Sequence, residues 1–116
     1  METWRKVIGY EWYYEVSNTG NVRHVIYWLK KLYIRDKDWY IHIKLKKEWV
    51  ASRKIVHRLV AIAFIPNPEN KRTVNHINGV KTDNRLENLE WATDKENSMH
   101  SWKLWLSKPY IRNPIT

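Results

Sequence analysis

The apolar residues of this chain change their spacing at Val56. Ahead of that point, from Trp39 to Lys46, residues alternate. Ile41, Ile43 and Leu45 fall on one side and Tyr40, His42, Lys44 and Lys46 on the other, the period of a half-buried strand whose wet face is basic and aromatic. From Val56 onward, Val56, Leu59, Val60, Ala63 and Phe64 recur at helical spacing, an apolar stripe on a short helix that Pro66 and Pro68 stop. Strand followed by helix within 116 residues predicts one α+β domain, or two small lobes sharing a core, because the chain is too short for two independent cores. With 43% apolar and 14% aromatic residues it is too hydrophobic to remain disordered.

Other elements follow from turn and cap chemistry. Glu15-Val16 and Asn21-Val22-Arg23 flank Asn18-Thr19-Gly20, a cluster able to supply a residue of positive φ, so a tight antiparallel hairpin is expected there. Thr73 to Ile77 and Val80-Lys81 flank Asn78-Gly79, which predicts a second hairpin on a type I′ turn. After an irregular stretch, Leu89-Glu90-Trp91 reads as a brief extended piece. Thr93 and Glu96 have capping-box spacing, so a helix should begin at Asp94 and run to about Leu106.

Composition excludes several classes of function. With no cysteine, a disulfide scaffold, a thiolate zinc site and a cysteine nucleophile are ruled out, and any metal must be held by oxygen or imidazole. No apolar run approaches the ~20 residues of a membrane span, and Met1 to Lys6 lacks a signal-peptide pattern, so a cytoplasmic protein without a membrane partner is expected. The net charge of +9 favours a polyanionic partner. The excess lies mostly in residues 1–55, which hold 12 basic and 6 acidic side chains. Nucleic acid leads such partners, and Arg23, Lys30, Lys31, Tyr40, His42, Lys44 and Lys46 are the candidate contacts from this half. A solvated, solubilising face explains such a basic stretch as readily.

Asn75, His76, Asn88, Asn97 and His100 gather on the second hairpin, the irregular stretch and the last helix. Singly, each has a plain explanation as a turn, cap or surface residue. In order, however, Val74-Asn75-His76-Ile77-Asn78-Gly79, Lys81, Asp83-Asn84, Glu87-Asn88-Leu89-Glu90-Trp91, Thr93 and Glu96-Asn97 resemble the core of HNH endonucleases, in the branch typical of phage and intron homing enzymes. His57-Arg58-Leu59-Val60-Ala61 and Ala63-Phe64-Ile65-Pro66-Asn67-Pro68 resemble the helix ahead of that core. Trp4, Gly9-Tyr10-Glu11, Tyr14 to Gly20 and Val22-Arg23 resemble the module that often precedes it. The likeness touches most of residues 4–108.

The resemblance implies a ββα-metal nuclease core over residues 56–108, an N-terminal basic β-rich DNA-binding module over 1–55 and a tail over 109–116. It implies His76 as general base and Asn88 as the asparagine that orients it, with Asn75 and Asn97 as metal ligands and His100 as a further candidate ligand. Neutral amide ligands suit Mg²⁺ or Mn²⁺ better than zinc. Adjacent strand residues point to opposite faces, so Asn75 and His76 can share a site only if the hairpin is distorted there. Asp83 and Glu96 are accounted for by a turn and the capping box, His57 by the helix start, and His24 and His42 by the basic sheet. The function implied is hydrolysis of a phosphodiester in double-stranded DNA by a monomer, giving a nick, with no small-molecule cofactor. A DNA-binding protein of the same fold without cleavage is the alternative, and a basic RNA-binding protein a third. The family tends to have glycine where Trp12, Trp39, Trp49 and Trp105 stand, and the chain has 3 glycines against 8 tryptophans. That skew is expected if these codons are stop codons read as glycine in the native genetic code.

Overall fold

The computed structural model describes residues 1–28, 33–35 and 37–106. Lys30, Lys31 and the tail from 109 to 116 lie outside the described residues. The N-terminal sheet holds β1 (Trp4–Lys6), β2 (Tyr14–Ser17) and β3 (Val22–His24) in antiparallel order β1-β2-β3. The expected hairpin joins β2 to β3, with Val16 opposite Val22. Ser17 is fully buried and its Oγ accepts from the backbone N–H of Thr19 and of Asn21 (3.2 and 3.0 Å), which folds the turn back on the strand end. A second antiparallel sheet holds β4 (Ile34–Arg35), β5 (Ile41–Lys47) and β6 (Val50–Ile55).

Helix α1 (Val56–Phe64) leaves β6 directly and buries Val56, Leu59, Val60 and Ala61. These pack with Val7, Val16 and Val22 of the first lobe, Ile41, Ile43 and Leu45 of β5, and Val74 and Leu89 further along the chain, so the lobes share one core centred on α1. The third layer is antiparallel, with β7 (Thr73–His76) against β8 (Leu89–Ala92), Thr73 opposite Ala92 and His76 opposite Leu89. A 3-10 turn at Leu86–Asn88 precedes β8, and α2 (Asp94–Leu106) follows it. The architecture is α+β, with a β7-β8-α2 unit in its C-terminal half. No helix among the described residues is long and apolar enough to cross a membrane.

Two local expectations are corrected. Asn78-Gly79 is not a type I′ hairpin turn: Gly79 alone has positive φ (+76°), and its N–H donates to the His76 carbonyl (2.9 Å). The partner of β7 is β8, across the long 77–88 loop, because the apolar Leu89 and Ala92 offer the core a second strand that exposed Val80 and Lys81 do not. On β5 Ile41, Ile43 and Leu45 are buried as expected, but the opposite side is wet only at Lys44 and Lys46. His42 is buried, and its Nε2 meets the Asp38 carboxylate at 3.1 Å. Trp39 sits at φ +68°, a conformation that L side chains adopt at a cost and glycine adopts freely. Trp28 (φ +59°) shares it, whereas Trp12, Trp49 and Trp105 are not positive-φ positions.

Candidate active site

The end of β7 and the first turns of α2 meet at one cleft of about 290 Å³, lined by Tyr40, Asn75, His76, Lys81, Asn97 and His100 among others. The capping box sets the start of α2: Thr93 N–H donates to Glu96 Oε1 (2.9 Å) and Glu96 N–H to Thr93 Oγ1 (3.1 Å). With the helix fixed there, Asn97 and His100 lie one turn apart on the face towards the hairpin. His100 Nε2 donates to the Ile77 carbonyl (2.8 Å), which ties α2 to the loop after β7 and leaves Nδ1 with the lone pair. Asn75 Nδ2 donates to Glu90 Oε1 (3.0 Å), its cross-strand partner, so the amide is oriented by β8. Although they are neighbours on β7, Asn75 and His76 line the same cleft, because the strand ends at His76 and the chain turns away.

His76 is 5% exposed. Its Nε2 lies 2.8 Å from Asn84 Oδ1. An amide oxygen can only accept, so Nε2 carries the hydrogen and Nδ1 keeps the lone pair. Burial pushes the His76 pKa below the ordinary imidazole value, a shift opposed by the Asn84 hydrogen bond and the Asp83 carboxylate. Two rings pack against it: His57 at 4.7 Å between centroids and Tyr40 at 6.0 Å. Tyr40 also stacks on His57 (5.1 Å, 17° between planes). The Lys81 ammonium lies 4.8 Å above the Tyr40 ring and donates to the Asp38 carbonyl (3.3 Å), which holds one cation at the cleft wall. His57 is pushed to about 3 by burial, and the neighbouring His76 acts in the same direction.

Three of the expected site residues make contacts other than those the resemblance implies. Asn88 spends its amide on the loop rather than on His76: Nδ2 donates to Asn78 Oδ1 (3.0 Å) and the Asp83 carbonyl (2.8 Å), and Oδ1 accepts from Asn78 N–H (3.0 Å). It clamps the segment that follows His76, and Asn84 makes the direct contact. Tyr40 leaves the wet face of β5 for the cleft. The Arg23 guanidinium lies between the rings of Trp4 (3.9 Å) and Trp28 (4.1 Å) and bonds Glu15 at 2.9 Å, an arrangement that engages it inside the first lobe. Lys44 and Lys46 remain exposed on β5. Asn84, His57 and Lys81 are the members that sequence reasoning left without a role in the site. Asp83-Asn84 and Lys81 stand in the family-like segment, and that was the one signal for them.

The HNH endonuclease family matches residues 54–99 and the NUMOD4 motif matches residues 2–52. The chain carries an HNH endonuclease domain behind a NUMOD4 motif. It is 48% identical over 105 residues to an HNH endonuclease of Acanthamoeba polyphaga mimivirus, L247, covering 86% of this chain and 26% of that protein. It is 39% identical over 108 residues to the DNA endonuclease I-HmuI of Bacillus phage SP01, covering 90% and 62% respectively. A solved structure of I-HmuI, described as showing DNA binding and cleavage by that HNH homing endonuclease, superposes with a TM-score of 0.81 at 37% identity, over 87% of this chain and 58% of that one. The chain thus spans less than two thirds of each of these relatives. Within it, Asn75, His76, Asn84, Asn88 and Asn97 all fall in the HNH domain, and Tyr40, Lys44 and Lys46 in the NUMOD4 segment.

Proposed function

We propose that this chain is a metal-dependent DNA endonuclease that hydrolyses a phosphodiester bond, with His76 as general base. The observation that carries the reading is the His76–Asn84 hydrogen bond at the wall of the cleft. It leaves Nδ1 as the basic nitrogen of a neutral ring, on a residue held by three neighbours. Nδ1 takes a proton from a water molecule as the water oxygen attacks phosphorus. The new P–O bond forms as the bond to the departing 3′ oxygen breaks. Burial keeps the imidazole neutral at physiological pH, so the base is ready without prior deprotonation.

The donors that share the cleft are two amide oxygens, Asn75 and Asn97, and the His100 Nδ1. This neutral, mostly hard set fits a divalent ion such as Mg²⁺ or Mn²⁺ that completes its shell with water and phosphate oxygen, which predicts weak binding until DNA is present. Such an ion supplies positive charge against the phosphate and the leaving oxygen. Lys81 adds a fixed cation at the wall.

Double-stranded DNA is the proposed substrate. The net charge of +9 and the exposed Lys44 and Lys46 attract the backbone, and the similar I-HmuI is described as binding and cleaving DNA. A single cleft among the described residues that gathers His76, Asn75 and Asn97 favours a nick by a monomer. A rival reading, DNA binding without cleavage, draws on the donor set: among the described residues no group of three or more His, Asp or Glu side chains could hold a metal. Supercoiled plasmid incubated with Mg²⁺ or Mn²⁺, with and without EDTA, separates the two. Conversion to open circles that EDTA abolishes is expected, whereas retention of plasmid in a gel shift with no cutting under either ion favours the rival.

A further inference from the structure

We propose that Gly20 is a positioning residue for His76: the β2-β3 turn of the N-terminal module seats Asn84 and thereby decides which His76 nitrogen carries the hydrogen and which keeps the lone pair. The inference rests on the reading of His76 as general base. It makes the first lobe part of the catalytic apparatus and not only a means of holding DNA.

The contact is close and specific. Gly20 has φ +90°, and a Cβ placed there would lie 2.9 Å from Asn84 Cβ and 3.2 Å from the Asn84 carbonyl oxygen. Both atoms belong to parts of Asn84 that cannot swing away, so the backbone around Asn84 would have to move. The same turn takes a backbone hydrogen bond from the catalytic half of the chain, Leu86 N–H to the Asn18 carbonyl at 2.8 Å. Asn84 and Leu86 are therefore both held by a turn far upstream in sequence.

That turn is itself anchored. Asn18 exchanges hydrogen bonds with Thr3, its N–H donating to the Thr3 carbonyl (3.0 Å) while Oδ1 accepts from Thr3 N–H (2.8 Å). The Tyr33 hydroxyl reaches the Gly20 carbonyl (2.5 Å) and Asn21 Oδ1 (2.8 Å). Asn84, 6% exposed, passes the constraint on through its 2.8 Å contact with His76 Nε2. Relieving a clash at Gly20 would displace Asn84 and stretch this contact from its optimal length, weakening the hold on Nε2–H. The tautomer with the hydrogen on Nδ1, in which that nitrogen has no lone pair, would then compete.

The test compares Gly20→Ala with Gly9→Ala in the full chain. Gly9 has almost the same φ (+89°), but an added Cβ there meets nothing within 4 Å, so both variants carry the backbone strain and one carries the clash. Ring ¹⁵N shifts of His76 should report a single Nε2–H tautomer in the wild type and in Gly9→Ala, and a mixture in Gly20→Ala. Single-turnover nicking should fall on the order of tenfold to a hundredfold in Gly20→Ala, as for other lost orienting partners, and stay near wild type in Gly9→Ala. Asn84→Ala should cost as much as Gly20→Ala, and adding Gly20→Ala to it should cost nothing more. Tyr33→Phe loosens the same turn without a clash and should show a minor second tautomer, which keeps the test decisive if Gly20→Ala does not fold. An unchanged Nε2–H tautomer in folded Gly20→Ala or, failing that, in Tyr33→Phe overturns the proposal, as do losses at Gly20 and Asn84 that multiply. If the wild type does not nick DNA at all, the endonuclease reading fails, while the tautomer comparison still decides the role of Gly20.

Discussion

Mild acid should weaken this fold through His57. The ring is 6% exposed, stacked on Tyr40 and against His76, and burial pushes its pKa from 6.5 to about 3. In the unfolded chain it returns to its ordinary value, so between pH 6.5 and 3 the unfolded state binds one more proton than the native state. Stability from this group is therefore complete about one unit above pH 6.5 and falls as pH drops through that value, by up to about 1.4 kcal/mol per pH unit. Between pH 6.5 and 5 that amounts to about 1.7 kcal/mol, a sizeable part of the roughly 5–15 kcal/mol typical of a domain. The His76 pKa is lowered as well and acts in the same direction. Glu11, Asp38 and Glu96 are held below the usual carboxylate range, so they remain ionised over this interval and do not mask the effect. Urea titrations of the wild type and His57→Phe at both pH values measure it. Phenylalanine keeps the ring and loses the proton site and the hydrogen bond to the Val74 backbone, a cost of about 1 kcal/mol that is the same at both pH values. The variant should lose clearly less stability than the wild type on acidification. Equal losses, or a wild type whose unfolding midpoint does not move between pH 6.5 and 5, would refute the argument.

Asn84→Asp places a carboxylate beside His76 Nε2 and should move the acidic inflection of the nicking rate to higher pH by about 1–3 units, read from single-turnover rates across pH 5–9. Lys44→Ala should lower the slope of log affinity for DNA against log salt by about one, measured by fluorescence anisotropy. Arg23→Ala should leave that slope unchanged and destabilise the fold by about 1–3 kcal/mol, because its guanidinium is already engaged by Trp4, Trp28 and Glu15. Peptide mass spectrometry of the natively expressed protein should find glycine at position 39, where the backbone holds φ +68°; tryptophan there would end the recoding idea.

What could be read from the residues is what local chemistry dictates. The stripe from Val56 to Phe64, the Thr93–Glu96 box and the turn after Ser17 each form as expected, because period, cap and turn act within a few residues. The Asn78-Gly79 turn misled because strand choice is a long-range matter: β7 takes the strand that brings Leu89 and Ala92 to the core. His42 and Tyr40 share a side of the β5 alternation with Lys44 and Lys46, yet the loop through Asp38 and the packing of His57 draw the first two inward. At the site, the family likeness pointed to Asn75, His76, Asn97 and His100, and they do line one cleft. It assigned the orienting role to Asn88, which holds the loop. The contact of Asn84 with His76 spans an irregular segment, and its seating against Gly20 joins residues with no periodic relation, so neither is visible before folding.

The central claim is that the His76 imidazole removes the proton of the attacking water. Its most direct test is the single-turnover nicking rate of His76→Ala against the wild type, on the same supercoiled DNA, at saturating Mn²⁺ and with binding checked by gel shift. A fall on the order of a hundredfold or more, with DNA affinity retained, is the predicted result. A variant that nicks at the wild-type rate would contradict the account.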